Sequence, residues 1–230
     1  MKQEIKVVIG IIIGTIIIII GGLWIASSTQ KPTGLASGAK ADSKILIRAG
    51  SPLISGSSTS LSVGDEASSS VVTLVEFADF ECPACMVFAP TLRQAIAHYG
   101  SKVQLIFRTF PIHPNAPADS LAALAAGDQG KFWEMYDLLY KNQNEWTAYG
   151  ANKTALFASY ATSLGLDINK FNADLKSAAN KATVDQDTAD GNALGVDRTP
   201  SLFIDGTLVT GAISYETLTS LIDAELAKNK

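Results

Sequence analysis

The sequence predicts an α/β protein: a central mixed β-sheet flanked by helices, with an inserted α-helical subdomain and one N-terminal transmembrane helix. Three observations predict it. An uncharged, isoleucine-rich run extends from Val7 to Ile25. Beyond it, apolar β-branched runs and helix-periodic stretches follow in the order β-α-β, a helical block, then β-β-α. The two cysteines of the chain, Cys82 and Cys85, sit where the first strand gives way to the first helix.

The N-terminal run, at roughly 1.5 Å rise per residue, approaches the ~30 Å hydrocarbon core of a bilayer. Lys2 and Lys6 flank its N-terminal side, which predicts a cytoplasmic N-terminus and an exported body. The rival is a cleaved signal peptide, with Ala26-Ser27-Ser28 as a weak cleavage site. The apolar run is longer than the ~7–15 residues of a signal core, so an uncleaved anchor over residues 1–26 is the stronger expectation. No cysteine follows it, so a lipoprotein anchor is not expected. Either way the body lies outside the cytoplasm, where disulfides persist. Removing Met1 to Ile25 removes Lys2, Lys6 and Glu4, so the formal charge goes from −4 to −5. No basic patch points to nucleic acid. Two cysteines do not make a structural disulfide framework.

Residues 27–70 read as a flexible Ser/Gly-rich linker. Ile45 to Ile47 is a candidate short edge strand within it, and from Ser51 to Ser70 the apolar residues are too scattered for an element. Residues 71–230 form the folded domain. Val71 to Phe77 is nearly all apolar, as for a strand buried on both faces. Pro83 to Tyr99 reads as a helix with Met86, Phe88, Ala89, Leu92 and Ile96 on one side. Pro83 suits its first turn, and Pro90 should kink it. Val103 to Phe110 is a second strand. From about 115 to 195 there is no strand-like alternation but several amphipathic stretches, including Phe132-Tyr136-Leu139-Tyr140 and Phe157-Tyr160-Ala161-Leu164. Ser201 to Ile204 and Thr207 to Thr210 flank Asp205-Gly206, a strong hairpin signal. Tyr215 to Lys228 closes the chain as a helix with Leu218, Leu221, Ile222 and Leu226 inward. These stripes speak for core packing, not for function.

The chemistry concentrates in Glu81-Cys82-Pro83-Ala84-Cys85-Met86. At the start of a helix, backbone N–H groups and the helix dipole favour an anion. A thiolate there is stabilised, and in Cys-x-x-Cys proteins its pKa falls to between about 3.5 and 7. Cys82 is therefore the candidate nucleophile and Cys85, one turn deeper, the resolving thiol. Zinc is the competing reading, because Cys82-x2-Cys85-x12-His98 matches half of a zinc-finger spacing. The other histidine, His113, lies too far beyond His98 to complete it. Glu76, an acid in an apolar strand six residues before Cys82, is a candidate proton carrier for Cys85. Its alternatives are a solvated carboxylate or one neutralised by Lys102 or Arg108. Arg198-Thr199-Pro200-Ser201 places a proline at a strand entrance; on the residues alone a trans edge proline is the safer reading.

Phe77-x2-Phe80-x-Cys82-Pro83-x-Cys85, Glu76, a helical insertion, and Thr199-Pro200 before a hairpin resemble a thioredoxin-fold protein of the DsbA-like group. Lys131-Phe132-Trp133-Glu134-Met135-Tyr136-Asp137-Leu138-Leu139 resembles a helix recurrent in that group. The resemblance covers roughly Ser70 to Lys230. It implies a protein-disulfide oxidase with Cys82, Cys85, Glu76 and Pro200 as catalytic residues. It implies a cis bond at Thr199-Pro200, and substrate binding by Thr199, Pro83 and Ala84. No metal and no cofactor beyond the Cys82–Cys85 redox disulfide are expected. The implied partners are exported cysteine-containing proteins and a membrane quinone-linked reoxidising protein (DsbB-like or VKOR-like). A monomer is expected, on a single-pass cell-membrane anchor with the catalytic domain extracytoplasmic. One departure stands out. Strongly oxidising members carry a histidine next to the second cysteine, where this chain has Ala84. Its loss predicts a potential between about −120 and −270 mV.

Overall fold

The computed structural model describes residues 59–62 and 72–228. The expected transmembrane helix and the candidate strand at Ile45 to Ile47 lie outside the described residues. Among the described residues no helix is long and apolar enough to cross a membrane.

Five strands form one mixed sheet: β1 (Thr59–Ser62), β2 (Val72–Ala78), β3 (Val103–Thr109), β4 (Ser201–Ile204) and β5 (Thr207–Thr210). Their order is β1-β3-β2-β4-β5, with β2 parallel to β3 and the other pairs antiparallel. β2 lies at the centre, which is why its sequence is apolar on both faces and every residue of it is buried. The linker assignment needs correction at β1. Thr59-Ser60-Leu61-Ser62 holds a single apolar residue, so hydrophobic patterning gives no strand signal; the pairing with β3 defines it.

Helix α1 (Pro83–Tyr99) crosses from β2 to β3, and α8 (Tyr215–Lys228) closes the chain. Both pack on one face of the sheet, where Phe88, Leu92, Ile96, Leu218 and Ile222 meet Leu74, Leu105, Leu202 and Ile204. Pro90 lies inside α1, which continues through it. On the other face Val75, Phe77, Ile106, Phe110, Val196 and Phe203 form a second layer.

The helical insertion comprises α2 (Ala116–Gly127), α3 (Phe132–Lys141), α4 (Gln143–Trp146), α5 (Thr154–Ser163), α6 (Ile168–Asp174) and α7 (Ala178–Ala193). Its buried Met135, Tyr136, Leu139, Trp146, Phe157 and Phe171 share a core with Phe80, Cys85 and Phe107. The insertion is thus built onto the redox end of the sheet. Asp167 and Ser177 cap α6 and α7 through their side-chain oxygens. Gly191 lets α7 approach the sheet closely, since a Cβ there would lie 2.6 Å from the Phe110 ring. In the β4–β5 turn, Asp205 and Gly206 both take positive φ, 46° and 86°, as a two-residue hairpin of this twist requires. The Asp205 carboxylate accepts the Thr73 N–H at 2.9 Å and ties the turn to β2.

Candidate active site

Cys82 occupies the N-cap of α1, with extended backbone (φ −73°, ψ 120°) and Pro83 in the first turn. No side chain caps this end, so the orphan N–H groups are left for the sulfur. The preceding turn is fixed by several bonds. The Cys82 N–H donates to the Asp79 carbonyl at 3.1 Å. From the insertion, Gln143 Nε2 donates to the carbonyls of Phe80 and Cys82 at 2.6 and 3.0 Å. Pro83 and Ala84 are exposed, Cys82 is 6% exposed and Cys85 is fully buried.

Both cysteines are free thiols, and their environments push them in opposite directions. The Cys85 thiol donates to Cys82 and is the largest influence lowering the Cys82 pKa, to about 5. Burial works against this. The Thr199 side chain and the N–H groups of Cys85 and Ala84 add to the lowering. Burial pushes the Cys85 thiol far up, and its bond to Cys82 and the charge of Glu76 add to that. At neutral pH these shifts favour a thiolate on the nearly buried Cys82 and a protonated thiol on the fully buried Cys85.

The Cys82 Sγ lies 3.4 Å from the Thr199 carbonyl oxygen, to which it donates in its protonated form, so the loop before β4 closes over the nucleophile. The Thr199–Pro200 bond is cis. The Thr199 hydroxyl is buried beside the nucleophile and contributes to the lowering of the Cys82 thiol.

Glu76 is fully buried in β2. Burial pushes its carboxyl up to about 8, and the hydrogen bond from Tyr136 only partly opposes this. That bond runs from the Tyr136 hydroxyl to Oε2 at 3.3 Å, while Oε1 has no partner among the described residues. The basic residues that the sequence offered as partners are elsewhere. Lys102 is exposed in the turn before β3. Arg108 pairs with Asp187 and Asp190, its guanidinium lying over the Phe77 ring on the opposite face of the sheet. A carboxyl that titrates near neutral pH beneath the resolving thiol can exchange its proton.

The structure thus brings Glu76, Cys82, Cys85, Thr199 and Pro200 together, with Pro83 and Ala84 at the rim. His98, the zinc candidate, sits at the far end of α1 against Tyr99 and Tyr215. No group of three metal-ligating side chains occurs among the described residues. Sequence reasoning missed a ring of polar groups around the turn. Asp79 is buried and accepts from the N–H groups of Glu81, Ile112 and His113 and from the His113 ring. Lys153, buried in the insertion, pairs with Glu81 at 2.9 Å and with Asp119. The one available signal was Pro111-Ile112-His113-Pro114, whose prolines mark an extended loop; Lys153 carried none.

A family model described as thioredoxin matches residues 57–224. The chain belongs to the thioredoxin family. Among solved structures, it is similar to a thioredoxin-like oxidoreductase from Silicibacter pomeroyi, at 27% identity and a TM-score of 0.60, over 75% of this chain and 93% of that one. It shares its fold with alpha-DsbA1 of Wolbachia pipientis (20% identity, TM-score 0.65, 75% and 92% covered). The same holds for the catalytic domain of Proteus mirabilis ScsC (22%, TM-score 0.63, 76% and 93% covered). A curated Na(+)/H(+) antiporter NhaA from Herminiimonas arsenicoxydans is 34% identical over 66% of this thioredoxin-family chain and 24% of its own length. The chain spans about a quarter of the length of the curated relatives it matches.

Proposed function

We propose that this protein is an extracytoplasmic, membrane-tethered protein-disulfide oxidase that introduces disulfides into exported proteins. The observation that carries the reading is the split between the two thiols, with Cys82 lowered to about 5 and Cys85 raised and buried. A thiol that acidic is almost wholly thiolate at neutral pH, which stabilises the reduced pair and makes its disulfide the more oxidising.

A substrate thiolate attacks Sγ of Cys82 in the Cys82–Cys85 disulfide. Cys85 leaves and takes a proton from Glu76, which is mostly protonated at neutral pH. A second substrate thiolate then attacks the substrate sulfur of the mixed disulfide, and Cys82 leaves as the stabilised thiolate. The substrate loses two electrons and the Cys82–Cys85 pair gains them. A quinone-linked membrane partner removes them again. Thr199, Pro83 and Ala84 border the sulfur where an extended substrate segment would lie.

Ala84 favours a second reading, a reductase or isomerase, because the motif lacks the imidazole of the strongest oxidants. The reduction potential of the full chain, read by alkylation after equilibration with glutathione, separates the two. A value above about −180 mV supports the oxidase, and one near −270 mV supports the reductase. Cys85→Ser should accumulate mixed disulfides with many exported proteins for an oxidase, and with a narrow set for a reductase. A non-redox binding module would keep its biological function with Cys82→Ser.

A further inference from the structure

The loop after β3 delivers a histidine to the redox turn. The His113 ring Nδ1 lies 2.8 Å from Asp79 Oδ2, and the same oxygen accepts the backbone N–H groups of Ile112 and His113 at 2.7 and 2.9 Å. Asp79 in turn starts the active-site turn, because its carbonyl accepts the Cys82 N–H. The imidazole is therefore locked onto the segment that carries the nucleophile. Its side chain is 39% exposed, so the ring can exchange protons with solvent.

We propose that His113 supplies the positive charge beside the Cys82 thiolate that position 84 of the motif does not. The inference rests on the thiol–disulfide reading of Cys82 and Cys85. Three groups of negative charge act on the ring: Asp79, the Cys82 thiolate and Glu81. Partial burial disfavours the imidazolium, but these three outweigh it and hold its pKa above the ordinary value. Glu81 is itself engaged by Lys153, which also pairs with Asp119. Lys153 is thus committed to two carboxylates, while His113 answers Asp79, the residue whose carbonyl holds the Cys82 N–H. Deleting the imidazolium removes a favourable charge and leaves Asp79 uncompensated near the sulfur. Both effects disfavour the thiolate.

The test is the alkylation rate of Cys82 by iodoacetamide in the reduced full chain, at pH 5 and pH 9, beside the equilibrium constant with glutathione. His113→Gln should slow alkylation at pH 5 by roughly three- to tenfold and leave pH 9 unchanged. The glutathione equilibrium should move by a similar factor toward the protein disulfide. Ala84→His in the same chain should restore both, by placing an imidazole in the motif. His113→Lys, charged at either pH, should keep the fast reaction at pH 5. An unchanged pH 5 rate in His113→Gln overturns the proposal. So does a His113→Lys rate that falls with it, and this variant decides alone should His113→Gln not fold. A wild-type chain that forms no Cys82–Cys85 disulfide in glutathione defeats the underlying redox reading instead, whatever the His113 variants do.

Discussion

The two faces of the central sheet each bury an ionisable group and treat it in opposite ways. On one face Arg108 is fully buried, paired with Asp187 and Asp190, while the Thr109 N–H also donates to Asp187 at 2.9 Å. On the other face, Glu76 of the neighbouring strand β2 is equally buried with a single long bond from Tyr136. The first arrangement satisfies its charges and holds α7 against the sheet. The second leaves a carboxyl poised near neutral pH beside Cys85. Complete pairing makes a buried charge structural; incomplete pairing makes it titratable.

Breaking the satisfied face should have the largest effect on stability. Arg108→Met leaves two aspartates unpaired, one of them buried, and should cost about 3–5 kcal/mol. Urea unfolding reads that loss. The Cys82 alkylation rate of the folded fraction should be unchanged, since the pair lies across the sheet from the thiols. A large change in that rate would mean the faces are coupled.

Glu76→Gln should go the other way. The folded chain retains a carboxyl proton that the unfolded chain releases between the ordinary value of 4.5 and about 8. Stability therefore falls as pH rises through that window. The amide should stabilise the fold by on the order of 3 kcal/mol at pH 7 and by little at pH 4. It should also slow turnover near neutral pH, by withholding the proton that Cys85 needs. Equal stability changes at both pH values would place Glu76 outside this account.

Tyr136→Phe is a finer change. It removes the bond that holds the Glu76 carboxyl down, so the pH–rate profile of exchange should move to higher pH by up to about one unit. A profile that stays put would separate Tyr136 from the proton step. The smallest effect is expected at the surface. Arg93 and Asp137 pair at 3.1 Å with both side chains partly exposed, and Arg93→Ala should cost no more than about 1 kcal/mol in the same unfolding measurement.

The elements were largely legible because each buries a regular pattern. The runs at Pro83–Tyr99, Ser201–Ile204, Thr207–Thr210 and Tyr215–Lys228 carry their own periodicity or turn chemistry, and the structure places elements at those bounds. β1 was not legible, because its definition comes from the partner strand. The cysteines announced themselves by spacing and by their place at a strand–helix junction. Glu76 did so as an acid in an apolar run.

The sequence by itself therefore determined the β-α-β, helical block, β-β-α order and the pair of residues able to exchange electrons. Local pattern and covalent spacing suffice for both. Tertiary structure alone decided what surrounds that pair. His113 from the loop after β3, Tyr136 and Gln143 from the insertion, and the Thr199 carbonyl before β4 converge on the end of β2 and the turn that follows it across 60 to 117 residues of chain, apart from the nearer His113. Electrostatic and hydrogen-bond partners are chosen by distance in space, and one-dimensional spacing does not encode that distance until the sheet and the insertion have packed.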